Sequence, residues 1–187
     1  MEALLLSTGV VALAEIGDKT QLLALLLAAR YRKPIPIILG ILIATLFNHA
    51  AAAMLGQWVT NHVGTEVMRW ILSASFIGMA VWIMIPDKIN ADTRFFERIG
   101  IFGATFIAFF LAEMGDKTQI ATVALAARFD ALASVVAGTT IGMLLANVPA
   151  VLFGDMVARK IPTRAVHGAA AVLFAALGIV TLRLPLQ

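Results

Sequence analysis

Two short stretches of the chain place charged and polar side chains inside otherwise apolar sequence. The first reads AEIGDKTQ from Ala14 to Gln21, and AEMGDKTQ recurs 98 residues later, from Ala112 to Gln119. Each stretch holds two carboxylates, one ammonium group, one amide and one hydroxyl. Carboxylate, amide and hydroxyl oxygens are hard ligands, suited to Ca²⁺ and Mn²⁺, and they suit Mg²⁺ where that ion keeps several waters. The residue types therefore indicate a duplicated site for a divalent cation.

The spacing within each motif predicts that its charged groups share one helix face. On an unbroken helix the two carboxylates and the ammonium fall within about 100° of one another. These side chains are Glu15, Asp18 and Lys19 in the first motif, and Glu113, Asp116 and Lys117 in the second. The amides of Gln21 and Gln119 lie beside the aspartates. The hydroxyls of Thr20 and Thr118 point elsewhere unless the helix is interrupted, which the glycine inside each motif would permit.

The elements that carry these motifs are predicted to span a membrane. Hydrophobic residues make up 61% of the chain and charged residues 13%, and the mean hydropathy is +0.95, outside the range of a soluble domain. Six apolar runs near or above the roughly 20 residues of a spanning helix lie at residues 3–29, 35–59, 67–85, 101–127, 131–157 and 165–182. The absence of cysteine excludes disulfides and a thiolate metal site. We therefore predict an all-α integral membrane protein with six transmembrane helices.

The chain is an internal duplication. Residues 14–30 and 112–128 are identical at 11 of 17 positions without a gap. Farther along the chain the same offset pairs Gly40 with Gly138, Gly56 with Gly154 and Phe76 with Phe174. The unit is thus three helices long, and a second copy of an odd-numbered unit enters the membrane from the opposite face. We predict repeat 1 at residues 1–86, a cytoplasmic connector at 87–98 and an inverted repeat 2 at 99–187, an architecture typical of alternating-access transporters.

Lysine and arginine are distributed unequally between the two sides of this predicted bundle. One side holds Arg30, Arg32, Lys33, Lys88, Arg94, Arg98, Arg159, Lys160 and Arg164, and the other holds Arg69, Arg128 and Arg183. The positive-inside rule makes the richer side cytoplasmic. Six helices then place both termini outside the cytoplasm. The net charge of +3 reflects these loops, and no pattern suggests a nucleic-acid surface.

The two motifs together predict a cluster that needs neutralisation. If the motif helices cross near mid-membrane, four carboxylates and two ammonium groups meet, with a formal charge of −2. A desolvated charge near the bilayer centre costs at least roughly 2.5–3.5 kcal/mol. One divalent cation or two protons would neutralise the cluster, and both would compete for the same oxygens. Such competition at an alternating site is how an antiporter couples its two substrates.

A purely structural role is the alternative for these charges. Buried Glu–Lys pairs at i,i+4 spacing also serve as glue within membrane bundles. Two near-identical copies on symmetry-related helices favour the functional interpretation for the carboxylates. For Lys19 and Lys117 two roles stay open, a charge-balancing scaffold or movement between carboxylates during the cycle, because a protonated ammonium cannot ligate a metal.

The motif Glu-x-Gly-Asp-Lys-Thr-Gln in each half of a short six-helix chain resembles the ExGDK(T/S) family of cation/proton exchangers. The resemblance covers essentially the whole chain, and the family includes bacterial manganese exporters and the Golgi and chloroplast Mn²⁺/Ca²⁺ transporters of eukaryotes. It implies that the carboxylates carry the ion and that glutamines and threonines support them. The implied ligands are Glu15, Asp18, Glu113 and Asp116, with Gln21, Gln119, Thr20 and Thr118.

The resemblance also implies the function. We expect a secondary transporter, not an enzyme, that exchanges Mn²⁺, or alternatively Ca²⁺, for protons and exports the cation across a bacterial inner membrane, as in metal homeostasis. No cofactor is expected beyond the transported ion and its counter-ion H⁺. The expected partners are membrane lipid and the cation, with no nucleic acid, and both a monomer and a homodimer stay open.

Polar residues of the second helix in each half are further candidates. Asn48 and His49 lie mid-way along the second predicted helix, and Asn147 is the partner of His49 at the 98-residue offset. These groups either line the ion path or make hydrogen bonds between helices. An imidazole nitrogen from His49 would favour Mn²⁺ over Ca²⁺.

Three other classes of protein agree less well with the sequence. An intramembrane aspartyl protease is disfavoured because each aspartate precedes a lysine, which would hold it ionised and spoil a dyad that shares one proton. A passive cation channel or uniporter is the main alternative, but a two-fold inverted repeat builds one central site with two gates. An exporter of organic solutes is disfavoured by the lack of an aromatic or extended polar lining.

Overall fold

All secondary structure in the described part of the chain is helical. The structure is a computed structural model that describes residues 1–85, 99–154 and 163–183. Its helices are α1 (Glu2–Glu15), α2 (Lys19–Tyr31), α3 (Pro34–His62), α4 (Thr65–Trp82), α5 (Gly100–Glu113), α6 (Lys117–Arg128), α7 (Leu132–Phe153) and α8 (Thr163–Arg183). The predicted connector at residues 87–98 lies outside these ranges, as do several of the basic residues used for the orientation, Lys88, Arg94, Arg98, Arg159 and Lys160. The prediction of an all-α protein is confirmed for the described residues.

Among the described residues, three helices are long and apolar enough to cross a membrane by themselves. They are Pro34–His62, Leu132–Phe153 and, within α8, Arg164–Arg183, and α5 is a shorter apolar helix. Large apolar side chains cover the outside, as at Phe47 and Leu145, whereas polar side chains of the same helices, such as His49 and Asn147, are buried. A soluble domain shows the opposite distribution, because water favours polar groups at the surface. These helices therefore have the surface of a protein that lies in lipid.

The first and fourth predicted spans are not continuous helices. Each one is interrupted inside the motif, so that α1 and α2 follow one another, as do α5 and α6. At the break Gly17 has φ +84° and Gly115 has φ +75°, a left-handed backbone that favours glycine. The residues on either side of each glycine are extended. The unbroken helix drawn from the motif spacing is thus wrong, and the interruption that glycine would permit is the observed conformation.

Helix contacts are exchanged between the two halves of the chain. The 98-residue offset relates α1 to α5, α2 to α6, α3 to α7 and α4 to α8. Helix α1 packs on α7 while α5 packs on α3, and α2 packs on α7 while α6 packs on α3. Helices α4 and α8 pack on each other, with the rings of Phe76 and Phe174 stacked at a centroid distance of 6.4 Å. Each half therefore completes the packing of the other.

Glycines allow the motif helices to approach their partners closely. A Cβ atom on Gly138 of α7 would lie 2.5 Å from the Leu4 carbonyl oxygen and 2.9 Å from the Ser7 Cβ of α1. The equivalent Gly40 of α3 faces Thr105 of α5 in the same way, with a Cβ distance of 2.7 Å. Small residues at such crossings let backbones meet, which is how membrane helices gain van der Waals contact.

Replacing Gly138 with alanine is expected to destabilise the protein by about 1–3 kcal/mol, because the new methyl overlaps the backbone of α1. Gly9 of α1 provides the control, since a Cβ there meets nothing within 4 Å. Thermal unfolding in detergent, followed by circular dichroism, should show a lower midpoint for G138A and an unchanged or higher one for G9A. Equal midpoints for G138A and the unsubstituted protein would contradict the close crossing of α1 and α7.

Candidate metal centre

The two motifs meet at the breaks between α1 and α2 and between α5 and α6. Glu15 and Glu113, which end α1 and α5, are completely buried. Asp18 and Asp116, which precede α2 and α6, are each 3% exposed. All four acidic side chains predicted as ligands are thus buried in the protein interior, although they come from sequence segments about a hundred residues apart.

The glutamines of the motifs stabilise the breaks. The Gly17 N–H donates to Gln21 Oε1 at 2.9 Å, and the Gly115 N–H donates to Gln119 Oε1 at 2.7 Å. An interrupted helix leaves backbone N–H groups without their usual partners, and a buried N–H without an acceptor is costly. Gln21 also donates from Nε2 to the Ala146 carbonyl oxygen of α7 at 3.0 Å. Sequence reasoning assigned these amides to the cation and missed that they hold the backbone around it.

The threonines of the motifs bind the glutamates. Thr20 Oγ1 donates to Glu15 Oε2, and Thr118 Oγ1 donates to Glu113 Oε2 at 2.9 Å. On an unbroken helix these hydroxyls would point away from the carboxylates, so the contact depends on the glycine breaks. Each hydroxyl donates to Oε2 of its own glutamate. The other carboxylate oxygen, Oε1, takes no part in this hydrogen bond.

The lysines pair across the two halves. Lys19 Nζ lies 2.9 Å from Asp116 Oδ1, and Lys117 Nζ lies 3.4 Å from Asp18 Oδ1. Lys117 also donates to the Ile85 carbonyl oxygen at 3.2 Å. The helical wheel placed each lysine beside the acids of its own motif, whereas the folded chain pairs it with the aspartate of the other motif.

Three carboxylates converge closely enough to share one ion. Glu15, Glu113 and Asp116 each offer an oxygen, and these oxygens lie within 4.8 Å of one another. Two ligand atoms that are each about 2.1–2.5 Å from the same ion lie about 3–5 Å apart, so the spacing suits one cation. Glu15 Oε1, Glu113 Oε1 and Asp116 Oδ2 are buried and find no hydrogen-bond partner among the described residues. Buried carboxylate oxygens of this kind are stabilised by a metal ion or a proton. The donor set therefore fits a hard divalent cation.

The polar residues of α3 and α7 have different surroundings. Asn48 Nδ2 donates to the Phe110 carbonyl oxygen of α5 at 3.1 Å, a hydrogen bond between helices. Asn147 Nδ2 donates to the Met143 carbonyl oxygen within α7 at 3.0 Å. His49 is completely buried, and its Nε2 lies 3.9 Å from Glu113 Oε2. Thus His49 approaches a carboxylate of the cluster, whereas Asn48 and Asn147 donate to backbone carbonyls.

One residue near the breaks was not predicted from the sequence. His167 of α8 contacts the Ile16 carbonyl oxygen through Nε2 at 2.7 Å. The carbonyl lies in the break after α1, where no helical N–H reaches it, so the imidazole N–H replaces the missing helical donor. Only the position of His167 near the start of a predicted helix was visible in the sequence, and that position is equally typical of an interfacial histidine.

Fold and site together define a helical membrane protein with a duplicated acidic centre. Comparison with known proteins identifies its family. The family model described as "Divalent cation/proton antiporter GDT1" matches residues 3–91 and 101–186. A Vibrio cholerae protein named "Putative manganese exporter" is 54% identical over 182 residues, covering 97% of this chain and 90% of that protein. The GDT1-like protein 3 of Oryza sativa subsp. indica is 30% identical over 199 residues, covering 92% of this chain and 71% of the rice protein. No solved structure matches the chain.

The chain belongs to the GDT1 family of divalent cation/proton antiporters. The family resemblance drawn from the motifs is thereby confirmed. This is a family of membrane transporters and not a class of enzymes.

Removal of one lysine should test the crossed ion pairs. Replacing Lys117 with methionine is expected to cost about 3–5 kcal/mol of stability, because the Asp18 carboxylate stays buried after its lysine is lost. Replacing Lys19 should cost less, since its side chain is 24% exposed and that of Lys117 is 2% exposed. The measurement is the thermal unfolding midpoint in detergent.

Two further variants separate charge pairing from other effects of the substitution. The double variant K117M/D18N should recover most of the lost stability, because it removes both members of the buried pair. K33M, at an exposed lysine, should unfold like the unsubstituted protein. A K117M/D18N midpoint no higher than that of K117M would show that the ion pair does not account for the loss.

Proposed function

We propose that this protein is a secondary transporter that exchanges a divalent cation for protons and exports the cation from the cytoplasm. Mn²⁺ is the first candidate and Ca²⁺ the second. The observation that carries the proposal is the convergence of Glu15, Glu113 and Asp116 from both halves of the chain, with oxygens within 4.8 Å of one another. A relative named as a manganese exporter supports both the ion and the direction.

The charge balance of the acidic centre couples the movement of the cation to the movement of protons. Four buried carboxylates and two lysines leave the centre with a formal charge of −2. One divalent cation restores neutrality, and so do two protons, but the same oxygens cannot hold both at full occupancy. A cation that leaves the site therefore makes protonation favourable, and protons that leave make cation binding favourable. Inward proton flow then drives the cation outward.

The proposed architecture is six transmembrane spans in two inverted three-helix repeats. The interrupted pairs α1–α2 and α5–α6 form one span each in this arrangement, and α3, α4, α7 and α8 form the others. The exchanged packing of α1 on α7 and of α5 on α3 supports a two-fold relation between the halves. Broken helices at the centre of inverted repeats are a recurrent way to build ion sites in carriers. One chain supplies both motifs, so the site itself needs no second subunit.

The positive-inside count supports an orientation with both termini outside the cytoplasm of a bacterial inner membrane. The motif helices then enter from opposite faces, and each brings its break to the middle of the bundle. Both breaks thereby serve the same ion, which each face of the membrane reaches in turn.

Unequal exposure of equivalent residues supports alternating access. Lys19 and Gln119 retain exposed area, whereas their offset partners Lys117 and Gln21 are buried. A symmetric sequence motif thus has an asymmetric environment, as expected for a carrier that opens to one side at a time. In the opposite state the two halves would exchange these environments.

Replacing Glu15 or Glu113 with glutamine should abolish exchange and leave the protein folded, because an amide cannot release a proton or match a carboxylate as a cation ligand. The protein is reconstituted into liposomes that contain a pH-sensitive dye, with the membrane potential clamped, and Mn²⁺, Ca²⁺ or Mg²⁺ is added outside. Cation-dependent loss of lumenal protons should appear in the unsubstituted protein and fall at least about a hundredfold in E15Q and E113Q.

Glu66 provides a matched control, since its side chain is 82% exposed and outside the cluster. E66Q should exchange like the unsubstituted protein. Cation entry without proton movement would instead identify a channel or uniporter. Unchanged proton flux in both E15Q and E113Q would contradict a site built on these glutamates.

Alternating access can be tested on the chain's own cysteine-free background. Single cysteines at the equivalent positions Ile16 and Met114 flank the two breaks, and Met114 is the more exposed of the two. A membrane-impermeant thiol reagent should modify I16C and M114C at different rates, and saturating Mn²⁺ should change the two rates in opposite directions. Rates that stay the same with and without Mn²⁺ would argue against exchange between two states.

A further inference from the structure

His49 is a buried imidazole without a local hydrogen-bond partner. It lies on α3, its side chain is completely buried, and neither Nδ1 nor Nε2 has a hydrogen-bond partner among the described residues. A buried polar group left unsatisfied costs roughly 1–3 kcal/mol. The imidazole approaches the acidic centre from the Glu113 side, with Nε2 3.9 Å from Glu113 Oε2. A ligand bound at the centre would satisfy this nitrogen.

The amides around His49 each donate a hydrogen bond to the backbone, whereas the imidazole makes none; Asn147 Oδ1 also lacks a partner among the described residues. Asn48, next in sequence, donates to a backbone carbonyl of α5. Asn147, at the equivalent position of the second half, donates to a backbone carbonyl of its own helix. Each amide N–H₂ therefore contributes to the packing of the bundle, whereas both nitrogens of His49 remain available to an ion.

His49 and Asn147 occupy equivalent positions in the two halves, and their different side chains make the centre chemically asymmetric. The two motifs repeat the same acids, lysine, threonine and glutamine. On the neighbouring helices, however, residue 49 is a histidine and residue 147 is an asparagine. A cation at this centre therefore meets oxygen atoms from both halves and an imidazole nitrogen from only one.

We propose that His49 is a nitrogen ligand for the transported cation, next to Glu113, and that it makes the centre prefer first-row transition cations such as Mn²⁺ to Ca²⁺ and Mg²⁺. The proposal rests on the proposed function, since it concerns the same ion at the same site. The separation of 3.9 Å between His49 Nε2 and Glu113 Oε2 is too long for a hydrogen bond. It places the imidazole beside the Glu113 carboxylate, whose other oxygen, Oε1, has no hydrogen-bond partner among the described residues, so both side chains lie within reach of one ion.

The chemistry of the ligands accounts for the preference for Mn²⁺ over Ca²⁺ and Mg²⁺. Ca²⁺ and Mg²⁺ bind oxygen ligands almost exclusively, so an imidazole adds little for them. Transition cations accept imidazole nitrogen, and their affinity for a mixed nitrogen and oxygen site rises from Mn²⁺ toward Cu²⁺. Four carboxylates alone would not separate Mn²⁺ from Ca²⁺, because both are satisfied by oxygen. The imidazole is the group in the described centre that distinguishes the two ions.

Pulsed electron paramagnetic resonance on the purified full-length protein tests the bond itself. Mn²⁺ bound to the protein should show ¹⁴N modulation from a directly coordinated imidazole, and the modulation should be lost in H49Q and H49N. Bound Mn²⁺ without imidazole modulation in the unsubstituted protein, or modulation that persists in both variants, would overturn the proposal. H49Q keeps most of the side-chain volume, so it serves if H49N fails to fold.

Ion selectivity provides the second measurement. In the liposome assay, H49Q and H49N should lower the ratio of Mn²⁺ to Ca²⁺ transport by about tenfold, mainly through slower Mn²⁺ transport. Thr60→Val is the matched control, because Thr60 lies on the same helix and its hydroxyl donates to the Gly56 carbonyl oxygen of that helix. T60V should keep the original ratio.

The outcomes separate this proposal from the proposed function. Coupled Mn²⁺ and proton movement in the unsubstituted protein, with the same ion ratio in the His49 variants, would overturn the role of His49 alone. An equal fall of the ratio in T60V would assign the effect to helix packing and would also overturn it. Absence of Mn²⁺ binding and of all coupled flux in the unsubstituted protein would overturn the proposed function.

Discussion

Two crossed ion pairs hold the centre of this molecule together. Lys19 of the first motif binds Asp116 of the second, and Lys117 binds Asp18. A buried, ionised carboxylate requires a counter-charge, because burial removes its hydration. Each half of the chain carries the counter-charge that the other half needs, so the halves stabilise the buried acids only when they meet. Helix α1 reaches α7, and α5 reaches α3, across glycines that leave the backbones almost in contact.

The glycine breaks in the two motif helices arrange the buried charged residues as a binding site. In a continuous helix the backbone is fully hydrogen-bonded, and threonine and glutamate of each motif would diverge. The left-handed glycines release a few backbone groups, which the motif glutamines and His167 then satisfy. The same turn directs Thr20 and Thr118 toward Glu15 and Glu113. One oxygen of each glutamate is thus fixed by a neutral donor, and the other stays available to a cation or a proton.

Much of this arrangement could be predicted from the sequence because the chain repeats itself. The 98-residue offset identified the motif acids, the equivalent glycines and the pair Phe76 and Phe174, whose rings stack in the structure. The helical class followed from composition. The crossed pairing of the lysines could not be predicted, because a helical wheel describes neighbours along one helix and has no information about a second helix. The glutamine caps were missed for a related reason, since they depend on a backbone turn that glycine permits but does not require.

The crossed pairs have a consequence for the origin of the chain. Under the proposed inverted arrangement, a single three-helix unit inserted in both orientations would form the same two ion pairs with a second copy of itself. An ancestral homodimer would therefore already have possessed the acidic centre before its gene was duplicated and the two copies were fused. Such a dimer must carry one residue type at both equivalent positions of its second helix. The present difference between His49 and Asn147 therefore arose after the duplication, when each copy became free to diverge.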